Sequence, residues 1–255
     1  MSILKTKNQT IIIERLKGIG NELLNKPYDF IQFTKNKEAD ILLNDLDKYP
    51  HAFVLACIMD RQIKAERAWL IPYLISKELN SFGMSDLIKK DENDYFGIFK
   101  SNNLHRFNTI MAKNFFEGIQ KIHNTYNDNA SLIWLDYPIS ATLIGRFLSF
   151  KGAGIKIATM AANILVRDFK IKIRDHVYID ISPDIHLRRV FKRTGLIEKD
   201  STIEELIYKA RELNPDYPGV LDLSCWEIGR NWCQPLNPKC NKCYLGDYCE
   251  KRLDI

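Results

Sequence analysis

Apolar residues return at three- and four-residue steps along nearly the whole chain, so helices must carry the fold. Residues 106–123 show this best, with Phe107, Ile110, Met111, Phe115, Ile119 and Ile122 on one helical face. The same spacing predicts helices over 10–24, 51–59, 63–79, 137–149, 155–167, 184–194, 202–213 and 218–231. Pro72 should kink or split the segment that contains it. Polar clusters such as Ser101-Asn102-Asn103 and Asn127-Asp128-Asn129 mark the breaks. One stretch reads differently: between Lys170 and Asp180, Ile171, Ile173, Val177 and Ile179 suggest alternation and a short hairpin. No repeat, low-complexity tract or flexible linker interrupts the chain. The expectation is an all-α fold of two helical lobes sharing a cleft.

With 255 residues the chain can bury a sizeable core. A net charge of +5 leans toward a polyanionic partner without requiring one. Ile11–Ile13 is too short for a signal sequence, and no stretch approaches the length of a membrane span. A soluble, intracellular protein is expected.

The six cysteines are unevenly placed. Cys57 stands alone and Cys225 sits upstream of a cluster, while Cys233, Cys240, Cys243 and Cys249 crowd into the C-terminal end. A secreted protein would spread its cysteines as disulfides, whereas crowding points to metal ligation. Only Cys240 and Cys243 form the close pair of which structural zinc sites usually have two. The run of six, two and five intervening residues therefore favours an iron–sulfur cluster, with zinc as the alternative. Nearby Lys239, Lys242, Lys251 and Arg252 read either as phosphate contacts or as ordinary solvated charges.

A second motif lies at Phe150-Lys151-Gly152-Ala153-Gly154-Ile155-Lys156, between two amphipathic segments. Two glycines one residue apart permit a tight turn. They also leave bare N–H groups at a helix start, which can hold a phosphate without reading sequence.

Together these motifs resemble the endonuclease III family of helix–hairpin–helix DNA glycosylases. The cysteine spacing is that of the family's 4Fe–4S cluster loop, Pro238 falls where the family has a proline, and Trp226-Glu227-x-Gly229-Arg230 is similar to its lead-in. The hairpin matches too, with Phe150-Lys151 where the family has Leu-Pro. The segment Ser182-Pro183-Asp184-Ile185-His186, followed by Arg189-Val190-x-x-Arg193, resembles the family's second catalytic segment.

The resemblance implies a six-helix lobe over 28–167 and a second lobe formed by 1–27 with 168–255, which carries a 4Fe–4S cluster on Cys233, Cys240, Cys243 and Cys249. It implies a monomeric repair enzyme acting on double-stranded DNA with a damaged or modified base, oxidised pyrimidine being the family's default. Lys156, two residues past the last hairpin glycine, is the implied nucleophile; taken without the motif it reads as a solvated lysine in the first turn of a helix. A neutral amine there can displace the base and form a Schiff base, permitting β-elimination. Burial and the positive helix end both disfavour its ammonium form. Asp184 is the implied carboxylate partner, and Asp is also a common N-cap. His186 reads as structural, bonding back to its own turn. Lys156 and Asp184 are further apart in sequence than the family usually has, so Asp175 and Asp180 are fallback carboxylates.

Gly152, Ala153, Gly154 and Lys151 are the implied phosphate contacts. Gln62, at a helix start, is the candidate to fill the gap left by a flipped base, with Arg61, Lys64 and Arg67 meeting phosphates and Asn103–His105 as a second wedge. Three alternatives stay open: a glycosylase using water activated by Asp184, a non-catalytic damage-binding protein, and a zinc-bearing nucleic-acid module.

Overall fold

The computed structural model describes residues 6–253, and among them there is helix but no strand. Twelve α-helices run in order: α1 (Lys7–Asn25), α2 (Lys37–Asn44), α3 (Pro50–Met59), α4 (Ala65–Leu79), α5 (Met84–Leu87) and α6 (Glu92–Ser101). They continue with α7 (Asn108–Tyr126), α8 (Ser140–Leu148), α9 (Ile155–Arg167), α10 (Ile185–Arg193), α11 (Ile203–Leu213) and α12 (Val220–Asn231). The all-α expectation is borne out. Contacts divide the chain into one unit of Tyr28–Arg174 and another of Met1–Pro27 with Asp175–Ile255.

In the Tyr28–Arg174 unit, α3 is the centre. Pro50 opens it at the position where a missing N–H costs nothing, and all ten of its residues are buried. A helix apolar on every side must be wrapped, and α2, α4, α7 and α9 pack around it. An aromatic cluster fills one side. Phe33 stacks on Trp69 with centroids 4.4 Å apart, and Phe53 meets Phe169 edge-on at 5.4 Å. Helix α4 runs through Pro72 without splitting. Pro72 is itself buried beside Ile71 and Ile75, and that packing offsets the one hydrogen bond it cannot make. Three helices escaped the periodicity: the four-residue α5, and the pair α2 and α6. Both are short and start on polar caps, Asn36 and an Asp91–Asp94 capping box.

The stretch expected as a hairpin is not one. Lys170 takes a left-handed conformation (φ 58°), and the Ile171 N–H donates to the Leu165 carbonyl at 2.9 Å, ending α9. Arg174 N donates to Pro138 O, and His176–Tyr178 form a single 3-10 turn. The N–H groups that a ladder would need are spent on helix ends and turns.

In the other unit, α12 packs against both α1 and α10. Capping boxes start α1 (Thr6 with Gln9) and α11 (Thr202 with Glu205). Beyond α12 the chain winds through the cysteine loop without regular structure, apart from a 3-10 turn at Cys240–Lys242. No described helix is long and apolar enough to cross a membrane.

Candidate active site, hairpin and cysteine loop

Helices α8 and α9 pack together, joined by the turn Ser149–Gly154. Gly152 sits at φ +87°, and a Cβ there would run into the side-chain amide of buried Asn114. Backbone conformation and space both require glycine at that position. Gly154 is different: its φ is −98° and a Cβ would meet nothing within 4 Å. It stands at the N-cap of α9 with no side-chain cap, so the first N–H groups of the helix have no capping side chain. Lys151 is exposed and pairs with Glu117 at 3.3 Å.

Lys156 lies in the first turn of α9. Its Nζ donates to Asp60 Oδ2 at 2.6 Å and to the Asp60 carbonyl at 3.2 Å. The lysine side chain is 32% exposed and that of Asp60 9%. Asp60 ends α3, its own N–H bonded to the Cys57 carbonyl at 3.1 Å, so the ammonium also meets the negative end of that helix. Attraction between unit charges at 4 Å is about 4 kcal/mol at an effective dielectric of 20, comparable with the several kcal/mol of desolvating a carboxylate. Losing either partner strands the other. The structure adds a counter-charge 96 residues away, and nothing local in the sequence signals it. Beneath the pair lies Cys57, fully buried; burial, and then the charge of Asp60, push its thiol well above the ordinary value.

The loop after Asp60 holds Gln62, exposed and left-handed at φ 56°. A non-glycine residue there is uncommon. The loop 102–107 lies alongside. His105 Nε2 meets the Met59 carbonyl at 3.2 Å, while its Nδ1 accepts the Phe107 N–H at 3.0 Å, which fixes the tautomer. His105 is fully buried and Leu104 nearly so, so neither can act as a wedge; Asn103, left-handed at φ 46°, is exposed. Arg67, exposed, donates to the Leu104 carbonyl at 3.2 Å and to the Asn103 carbonyl, bracing that loop. Arg61 and Lys64 stay exposed.

In the other unit, Asp184 is the N-cap of α10, and its Oδ1 accepts the Leu187 N–H at 2.8 Å. The approach to this cap is fixed from α12, where buried Asp222 accepts the Ser182 N–H at 2.5 Å. His186 accepts from Arg189 Nη2 at 3.0 Å, the same-turn bond expected of it. Arg189 reaches on to the carbonyls of Gly229 (2.8 Å) and Cys233 (2.5 Å), tying α10 to the cysteine loop. Of the fallback carboxylates, Asp180 is gripped by Arg211 through two bonds of 2.7 Å. Asp175 sits before the 3-10 turn.

Cys233, Cys240, Cys243 and Cys249 are unbridged, half-buried, and line one small cavity with Arg193, Trp232 and Gly246. Gly246 is dictated by space, since a Cβ would run into the Cys240 carbonyl. Buried Arg193 binds the carbonyls of Gln234 (2.6 Å) and Pro235 (3.0 Å) and lies 3.6 Å from Cys233 Sγ; Lys251 N donates to Cys249 Sγ at 3.3 Å. Among the described residues no three His, Cys, Asp or Glu side chains gather as ligands of a single metal ion. Of the basic residues nearby, Arg252 is engaged by Glu250 at 2.7 Å and Glu198 at 3.1 Å, while Lys239, Lys242 and Lys251 are exposed.

No family model matches the chain. A stretch of 71 residues is 37% identical to the endonuclease III of Thermotoga maritima; the match spans 28% of this chain and 33% of that protein, so the chain aligns with about a third of that relative. In structure the chain resembles a trapped covalent endonuclease III–DNA intermediate, with TM-score 0.65, 15% identity and 97% of each chain covered. A non-covalent endonuclease III–DNA complex gives the same values. A thermostable thymine-DNA glycosylase gives a TM-score of 0.60 at 14% identity, with 98% of each chain covered. At such identities the likeness shows the fold: the chain has the fold of endonuclease III. The resemblance read from its motifs is borne out, in fold across the chain and in sequence over those 71 residues.

Proposed function

We propose that the chain is a DNA glycosylase that removes a damaged or modified base, with oxidised pyrimidine as the default class, and then nicks the abasic site by β-elimination. The observation that carries this reading is Lys156 in the first turn of α9, directly behind an uncapped turn. The uncapped N–H groups at Gly154, with Gly152, Ala153 and Lys151, hold a backbone phosphate. Gln62 fills the space vacated by the flipped base. The Lys156 amine then attacks C1′, the bond to the base breaks, and the base leaves with the electron pair. Asp184, fixed as an N-cap, stabilises positive charge developing on the sugar. The trapped covalent endonuclease III–DNA complex supports this chemistry by analogy of fold.

Cys233, Cys240, Cys243 and Cys249 are the proposed ligands of a 4Fe–4S cluster. Four thiols lining one cavity are the donor set that such a cluster takes, and their spacing has only one of the close pairs usual for structural zinc. When bound, the cluster supplies a rigid staple for the loop carrying Lys239 and Lys242. Iron and acid-labile sulfide in a brown protein support this; a colourless protein containing zinc contradicts it.

A second reading is a glycosylase without lyase activity, in which Asp184 activates water. The likeness to a thymine-DNA glycosylase and the engagement of the Lys156 amine by Asp60 both favour it. The deciding experiment incubates duplexes bearing single oxidised, alkylated or mismatched bases with the protein and measures base release and strand nicking separately. Release with nicking from an oxidised pyrimidine supports the first reading. Release without nicking supports the second, and no release from any duplex sinks both.

A further inference from the structure

Attack by Lys156 requires that one proton first leave its amine, and nothing in the proposed reaction so far says where that proton goes. Asp60 touches the amine twice, through its carboxylate at 2.6 Å and its carbonyl at 3.2 Å. The two contacts fix both the distance and the direction of Nζ. Asp60 is itself immobilised. It closes α3, whose ten residues are all buried, and its N–H is held by Cys57 while the next N–H, of Arg61, is held by Met59 at 2.7 Å. Its carboxylate is nine-tenths buried and rests near the fully buried Cys57. Little water reaches that carboxylate, so bulk solvent is a poor proton acceptor there.

We infer that Asp60 is the positioning residue of the nucleophile: it aims the Lys156 amine and accepts the proton that the amine must lose. The inference rests on Lys156 being the nucleophile. At an abasic site the step balances as follows. The N–H bond of the ammonium breaks and an O–H bond forms on Asp60, leaving a neutral amine and a neutral carboxyl. The amine lone pair bonds to C1′ of the open sugar aldehyde, giving a carbinolamine. The proton stored on Asp60 leaves with the carbinolamine hydroxyl as water, the nitrogen lone pair forms the protonated imine, and the carboxylate is regenerated beside that cation. A buried ion pair becomes a buried neutral pair, so no unpaired charge is created at any stage. Asp60 also stands two residues before Gln62, which ties the aim of the amine to the loop proposed to enter the duplex.

The test is borohydride trapping under single turnover on a duplex with one abasic site. Wild type is compared with Asp60→Asn, Asp60→Ala and Lys156→Ala, with DNA affinity and melting temperature measured alongside. The expected result is adduct formation at least tenfold slower in both Asp60 variants, with affinity within about threefold of wild type. Sodium formate should speed Asp60→Ala and leave Lys156→Ala inert, because a small carboxylate can occupy the space vacated by the side chain. Wild-type trapping rates in Asp60→Asn would overturn the inference while leaving the lysine chemistry intact. Slow trapping in Asp60→Ala that formate does not relieve would reduce Asp60 to a structural ion pair. Should Asp60→Ala fail to fold, the near-isosteric Asp60→Asn decides alone. No adduct from wild type removes the lysine chemistry itself, and the role of Asp60 with it.

Discussion

Helices α9 and α10 each begin at a proposed catalytic residue, and they begin in opposite ways. The start of α9 is uncapped: Gly154 offers no side chain, and the residue that matters, Lys156, is held from outside by a carboxylate on another helix. The start of α10 is closed: Asp184 caps it, and the carboxylate is held by its own helix through Leu187. The contrast follows from charge. A helix N-terminus welcomes an anion, so the start of α10 itself stabilises Asp184. A lysine in the same position is disfavoured and must be held by a counter-charge, which Asp60 supplies. An uncapped start can also receive a phosphate, whereas at the start of α10 the Leu187 N–H is already engaged and a carboxylate occupies the place of an anion.

Substitutions at these two starts should differ most in chemistry. Lys156→Ala should lower strand nicking more than a hundredfold, about 3 kcal/mol in barrier, with DNA affinity little changed. A gel assay reads this, and nicking at the wild-type rate would remove the lysine from the mechanism. Asp184→Asn should slow base release by roughly ten- to a hundredfold, the range of a single electrostatic group. Its melting temperature should stay near wild type, because asparagine caps as well as aspartate, whereas Asp184→Ala should lose about 1 kcal/mol of stability. Equal stability losses in the two variants would show that the cap is not what holds α10.

The hairpin sharpens the comparison through stability. Gly152→Ala meets both a left-handed φ and Asn114, and should cost on the order of 1–3 kcal/mol in denaturant unfolding. Gly154→Ala meets open space and should cost only about 0.5 kcal/mol, the preference of an N-cap for glycine over alanine. Equal losses at the two positions would contradict the turn geometry. The smallest effect concerns pH. Burial holds the imidazoles of His51 and His105 below the ordinary value of 6.5. The unfolded chain therefore binds those protons first, so their stabilisation is complete above about pH 6.5 and is lost as pH falls through the lower folded-state values. The unfolding free energy should drop on acidification below that point, by at most about 1.4 kcal/mol per pH unit for each group, and the melting temperature with it. A flat profile from pH 7 to 5 would show that neither burial matters.

What could be read from the sequence follows the range of the forces involved. The long helices were legible because apolar periodicity is local, and Asp184 was legible because capping acts over three residues. The cysteine loop announced itself by spacing alone. Helices α2 and α6 were missed because they are short and their signal lies in caps rather than stripes. The stretch after α9 misled because alternation says nothing about where N–H groups go, and here they end a helix and make turns. Asp60 could be seen but not assigned, since its partner lies 96 residues away and only folding brings the two together. The same holds for Arg67, which reads as a phosphate contact in sequence and also braces a neighbouring loop.

The central claim is that Lys156 is a nucleophile rather than a solvated or structural lysine. The most direct measurement is borohydride trapping on a duplex containing one abasic site, with wild type and Lys156→Ala side by side. A covalent protein–DNA adduct from wild type alone is the predicted result. An adduct of equal yield from Lys156→Ala, or none from wild type that binds the duplex, would contradict it.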